Sequence, residues 1–273
     1  MKKTLSVFSV GPTGVAPSPA GGRWRWGYGA GQGHAGSFAI SLRHASTLAL
    51  ALALCAALAG CSSQPPVPDW QINAHSAAQR AVQSYLSGQT RSAEREFDQA
   101  RDQTARTGSP ALMARLELLR CAAQVGSTVV QPCVRFDTLR EDAAEPELAY
   151  DRYLHGQVQP ADVALLPLAQ QGVAAVLLAG GEVDAAVAGA AALDKVQDPL
   201  SQLVAAGVLL RAGQASPAVV ATALAVASRQ GWRRPLMAWL GLQAARAEAA
   251  GDVEEAARLR RRMDLAARGA KAP

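Results

Sequence analysis

The sequence predicts an all-α fold: antiparallel helical hairpins stacked side by side as a solenoid. Three observations predict it. Beyond residue 60, alanine makes up roughly a fifth of the chain while β-branched and aromatic residues are sparse, a balance that favours helices over strands. Helix start and stop signals recur with short connections between them. No segment shows the alternating apolar pattern of a half-buried strand.

The elements follow in order. Ser109-Pro110, Asp198-Pro199 and Ser216-Pro217 each set a capping side chain before a first-turn proline. Gly88, Gly156, Gly213, Gly231 and Gly251 close or separate periodic segments. These marks predict helices over 71–87, 90–106, 110–125, 133–142, 146–155, 160–171, 173–179, 182–194, 199–212, 217–230, 235–250 and 252–268. Pro167 is expected to kink or split the sixth. Short links make successive helices pack antiparallel.

A spacing repeats along this region. Gly88 is followed five residues later by Ala93, and the same step joins Gly156 to Ala161, Gly181 to Ala186, Gly213 to Ala218 and Gly251 to Ala256. The fullest copy is Gly88, Ala93, Phe97 and Ala100. This pattern resembles the second half of a tetratricopeptide repeat, in which glycine ends one helix and a small residue lets the next pack closely. The resemblance implies a solenoid over residues 70–268, each hairpin hiding its apolar face against its neighbours. Most copies lack the aromatic and Leu-Gly positions of the family's first helix, and Thr222 and Arg260 stand where a bulky apolar residue is expected.

Upstream lies a different kind of segment. No charged residue occurs from Ala45 to Gly60, a run of sixteen that is short for a membrane-spanning helix, and basic Arg43 precedes it. Length and flanks match the apolar core of a signal peptide. The run ends in Leu58-Ala59-Gly60-Cys61, which resembles the lipobox of bacterial lipoproteins. That resemblance implies recognition of Leu58, Ala59 and Gly60 by a signal peptidase. It also implies acyl chains on Cys61, which would hold the protein to a membrane. Residues 61–69 then read as the lipidated cysteine with a Pro-rich extended tether. Residues 1–60 form the signal region. The first 41 lack acidic residues and read as a mis-assigned start, since Leu42 is compatible with an alternative start codon. Residues 269–273 read as a flexible tail. Ser62 after the cysteine matches, in the enteric sorting scheme, an outer-membrane lipoprotein facing the periplasm.

Charge narrows the function classes. The chain carries a formal net charge of +5, but all five excess cations (Lys2, Lys3, Arg23, Arg25 and Arg43) lie in the first 60 residues. The remainder balances to zero and lacks the positive field that nucleic-acid binding needs. Cys121 and Cys133 are twelve apart with Gly126 and Pro132 between them. In an exported compartment they are expected to pair as a disulfide. No metal site is expected: there is no CxxC or HExxH pattern, and His75 and His155 stand alone in the sequence. GxSxG, SxxK and GxxxxGK are absent too, so neither an enzyme nor a cofactor nor a small-molecule substrate is expected.

Two clusters are candidate partner-binding residues. Trp232, Arg233 and Arg234 flank a turn, with Trp232 expected to be an exposed contact because Trp and Arg are favoured at binding hot spots. Arg258, Arg261 and Arg262 crowd the last helix, with Glu254 placed to pair with Arg258. Together these readings predict a lipid-anchored envelope scaffold or adaptor for a protein partner, in assembly of an outer-membrane, pilus or secretion machine. The alternative is an envelope protein that binds or cleaves peptidoglycan with a helical superhelix.

Overall fold

The computed structural model describes residues 66–180 and 182–268. From Pro68 onward these belong to one compact unit; residues 10–67 fall to a second, of which only Pro66 and Val67 are described. The lipobox-like stretch 58–61 and the residues read as leader and tail, 1–60 and 269–273, lie outside the described residues.

The described chain is helical. Its α-helices are α1 Asp69–Leu86, α2 Thr90–Ala105, α3 Pro110–Val125, α4 Val134–Asp137, α5 Glu145–Leu154, α6 Leu168–Ala179, α7 Glu182–Asp194, α8 Pro199–Arg211, α9 Pro217–Gln230, α10 Arg233–Ala249 and α11 Val253–Arg268. Short 3-10 segments span Arg140–Asp142 and Pro160–Leu165. Among the described residues there is no strand, and no helix long and apolar enough to cross a membrane.

Caps fall where the sequence puts them. Ser109 Oγ accepts from the Leu112 amide at 3.3 Å, Asp198 Oδ2 from Ser201 at 2.8 Å and Ser216 Oγ from Val219 at 3.4 Å. Each takes an amide that the first helical turn leaves unpaired. The five closing glycines all have positive φ, from 65° to 84°, the region where a side chain would be strained.

Two expected helices are broken. The helix predicted over 133–142 stops at Asp137. There the Thr138 hydroxyl donates to the Arg135 carbonyl at 3.0 Å, and the Leu139 amide turns instead to Phe136 O at 2.8 Å. The Arg135 carbonyl thus takes the Thr138 hydroxyl where an α-helix would give it the Leu139 amide, and a 3-10 segment follows. Pro167 splits the predicted helix 160–171 as expected, but the predicted boundary before 173 is absent. Pro167 separates a 3-10 segment from α6, and α6 runs straight through Gly172. Proline lacks the amide that continuation requires, whereas glycine only weakens a helix. At α10 the helix begins two residues before the expected position, with Pro235 tolerated in its first turn.

Two hairpins bound the unit, α1 with α2 and α10 with α11. Alanines thin the first: Ala77, Ala78 and Ala81 on α1 and Ala93 and Ala100 on α2 are all buried, with Phe97 among them. Helix α8 is central. Leu200, Leu203, Val204, Ala205, Ala206, Val208 and Leu209 are buried, leaving little of it polar, as expected for a helix enclosed on most sides. It packs against α3, α5, α6, α7 and α9. Contacts are not restricted to chain neighbours: α3 meets α8, and α10 returns to α1. The Gly-to-Ala spacing marks a buried small residue at Ala93 and Ala256, but Ala161 and Ala218 are exposed.

A polar thread crosses the core. Tyr153 is fully buried and its hydroxyl donates to Gln170 Oε1 at 2.6 Å, while Gln170 Nε2 donates to the Ser201 carbonyl at 3.1 Å. Burial pushes the Tyr153 hydroxyl well above its ordinary range, with the neighbouring Tyr150 adding to the effect. The unfolded chain releases this proton near pH 10. The folded chain retains it, so stability is lost as pH rises beyond that value. We expect tyrosinate absorbance from Tyr153 to appear only together with loss of helical circular dichroism. Tyr153→Phe should reduce the amplitude of that coincident step, the remainder coming from Tyr150 and Tyr85, which burial also pushes up.

Candidate functional site

The predicted cluster at the start of α10 is built by the turn at Gly231, whose left-handed conformation ends α9 and sends the chain back. Trp232 does not project to solvent as expected. It is 8% exposed, and its indole N–H donates to Gln83 Oε1 on α1 at 3.2 Å. An indole can be buried where its N–H finds an acceptor, and α1 supplies one. Arg234 is also spent internally. Its Nε donates to the Tyr85 carbonyl and its Nη2 to Thr90 Oγ1, both at 2.7 Å, and the guanidinium lies 4.3 Å from the Tyr85 ring centre. Tyr85 O is among the last carbonyls of α1; it accepts from the Gly88 amide at 2.9 Å, and Arg234 adds a second, charged donor. Arg234 therefore acts as a cap for a helix some 150 residues earlier. Burial pushes the Tyr85 hydroxyl up, and the charge of Arg234 opposes it.

Arg233 lies over the α1–α2 turn. A side chain at Gly88 would meet its guanidinium at 3.1 Å. With Gly88, Thr90, Arg234, Met237 and Ala267 it lines a cavity of about 400 Å³. On α11, Arg258 pairs with Glu255, three residues earlier, and not with the expected Glu254. Arg260 pairs with Glu248 across the hairpin. Arg261 and Arg262 are exposed, on the same helix as exposed Val253 and Leu265. So Arg261 and Arg262 stay open to a partner, whereas Trp232 and Arg234 hold the fold together.

Carboxylates elsewhere are matched to arginines, with Glu117, Glu147 and Asp162 buried and Glu94 half-exposed. Glu117 takes Arg101 Nε at 2.9 Å and Nη2 at 2.6 Å, and Glu94 takes both of its bonds from Arg120, which also lies 5.3 Å from the Phe97 ring centre. Arg115 reaches Glu147. Asp162 is bound by Arg152, whose guanidinium holds the Asp162 carboxyl below its usual range; burial opposes that shift.

A second site forms around the predicted cysteine pair. Cys121 on α3 and Cys133 at the start of α4 are joined by a disulfide, with Cα atoms 5.7 Å apart. The loop between them is held by two side chains. Trp239 Nε1 donates to Gly126 O at 3.0 Å. Arg211 donates to Gln131 O at 2.9 Å and Val129 O at 3.3 Å, and also to Leu154 O at 3.0 Å. Burial lowers the Arg211 proton affinity, with Asp151 opposing. Within the loop Thr128 has a φ of 61°, unusual for a β-branched residue.

His155 is not isolated in space. It and Asp151 are four apart on α5, and donor atoms of Cys133, Asp151 and His155 lie within 4.8 Å of one another. His155 Nδ1 is 2.8 Å from the Asp151 carbonyl and 3.4 Å from Asp151 Oδ1. Asp151 Oδ2 accepts from Arg140 at 2.9 Å, while Oδ1 is buried without a hydrogen-bond partner. The signal that the sequence held was the Asp151-to-His155 step, which puts both side chains on one helix face. Compared with known protein families, with curated proteins and with solved structures, the chain matches none.

Proposed function

We propose that this chain is a lipid-anchored scaffold of the bacterial envelope, fixed to a leaflet through Cys61 and offering its helical surface to a protein partner. The observation that carries the reading is the Cys121–Cys133 disulfide. Stable disulfides belong to oxidising compartments outside the cytosol. That fits the lipobox, which is a separate feature of the chain. In this reading the hairpins stack in the tetratricopeptide manner, modified by the return of α10 to α1. The exposed Arg261, Arg262, Val253 and Leu265 form the partner-facing part of α11. Outer-membrane placement, with the body in the periplasm, follows from Ser62.

The test is acylation and its consequence. Cells fed an alkyne-tagged palmitate should yield a labelled, shortened protein in the membrane fraction. Cys61→Ala should be unlabelled and uncleaved. An unlabelled full-length wild-type protein in the cytosol would defeat the proposal. Envelope crosslinking should capture a stoichiometric protein partner that is lost in the Arg261→Glu, Arg262→Glu double variant. Release of soluble muropeptides from sacculi by the purified protein would replace the scaffold with a wall-glycan enzyme.

A further inference from the structure

We infer that opening the Cys121–Cys133 disulfide creates a binding site for a divalent transition-metal ion of the zinc class, held by Cys133, His155 and Asp151, with Cys121 alongside. Three observations point there. The first is the donor set: a thiolate, an imidazole and a carboxylate are the ligand types that zinc takes. Their donor atoms already lie within 4.8 Å of one another. Ligand atoms on one tetrahedral zinc are about 3.5 Å apart, given bonds of about 2.0–2.3 Å. Closing that difference takes side-chain rotation, not a change of fold.

The second is Asp151. Its side chain is 5% exposed, and Oδ1 has no hydrogen-bond partner although a buried carboxylate oxygen ordinarily has one. The His155 ring stands near it, at 3.4 Å, and the charges of Arg152 and Arg211 also act on Asp151. Arg140 occupies the other oxygen and fixes the carboxylate. Supporting bonds of this kind orient metal ligands. His155 Nδ1 stands 3.4 Å from Asp151 Oδ1 and 2.8 Å from the Asp151 carbonyl oxygen, so ligation through Nδ1 would exchange the second contact for the metal.

The third is access. Both cysteines line a cavity of about 190 Å³, together with Glu117, Arg120, Gln124 and Gln131. A dithiol reductant can enter there. One of its thiolates attacks a disulfide sulfur. Its second thiol then resolves the mixed disulfide, so the protein gains two electrons and two protons and the reductant leaves as its own disulfide. The metal then displaces the proton from the Cys133 thiol, because the thiolate is the ligand. The Cys121 thiol, freed in the same step, is available as a fourth ligand. The same residues thus form a disulfide under oxidising conditions and a metal site under reducing ones. This inference does not depend on the lipid anchor.

The experiment uses the full chain with Cys55→Ser and Cys61→Ser, so that only Cys121 and Cys133 can supply thiolate. Cobalt(II) is titrated in before and after reduction with a phosphine. The reduced protein should bind one cobalt per chain and show thiolate-to-cobalt charge-transfer absorption, which zinc abolishes. The oxidised protein should show none. Cys133→Ser should eliminate the band. His155→Ala, at a partly exposed position, should weaken cobalt binding at least tenfold with unchanged helical circular dichroism. A reduced protein without the band would overturn the proposal, as would cobalt affinity unaltered by His155→Ala.

Discussion

Replacing Trp239 with alanine is expected to lower the stability of the helical unit by about 3–5 kcal/mol, the range for deleting a large buried aromatic. Trp239 is completely buried, and its indole N–H donates to the Gly126 carbonyl just beyond α3. Truncation leaves a void in the core against α10. It also leaves a buried carbonyl without its donor, at the head of the loop that carries the disulfide. Trp239→Phe separates the two effects. It keeps most of the apolar volume and loses the hydrogen bond, so it should cost roughly 1–3 kcal/mol. Urea midpoints at constant slope measure both. A Trp239→Ala loss below about 1 kcal/mol would show that the indole is not the support described here.

Gly207→Ala should destabilise by about 3 kcal/mol, the upper end for overpacking. A methyl group there would strike the Val125 carbonyl oxygen and stand 2.7 Å from its carbon and 2.9 Å from Val125 Cγ1. Backbone cannot move aside as a flexible side chain can, so α8 must withdraw from α3. Gly172→Ala is the contrast. It lies within α6 with nothing within 4 Å of the added methyl. Alanine at that position should stabilise by roughly 0.5–1 kcal/mol, since a helical glycine costs entropy. Equal effects at the two sites would show that α3 and α8 do not approach as closely as described.

Local chemistry made most of the helices legible in the sequence. Ser109, Asp198 and Ser216 cap their helices through their own side chains, and the five closing glycines adopt the conformation that ends a helix. These signals act over one turn and need no knowledge of distant residues. The break at Thr138 was missed because it depends on which carbonyl a hydroxyl takes. Ala161 and Ala218 matched the repeat spacing yet lie on exposed surface, because spacing does not say which face meets a neighbour.

The candidate site was legible only in its residue types. An arginine beside a tryptophan reads the same whether it faces a partner or caps a remote helix. The choice is made by Tyr85, Gln83 and Thr90, nearly 150 residues earlier. The proximity of His155 to Cys133 was hidden for a similar reason. It arises because α4 and α5 both pack against α3, and the sequence shows only that Asp151 and His155 share a face.

The seating of α10 on α1 also determines how the unit would bear mechanical load. A pull entering at Asp69 meets a helix pinned near its far end by Trp232 and Arg234. Tension would therefore pass into the α10–α11 hairpin and be shared, where an array with neighbour-only contacts would peel one hairpin at a time.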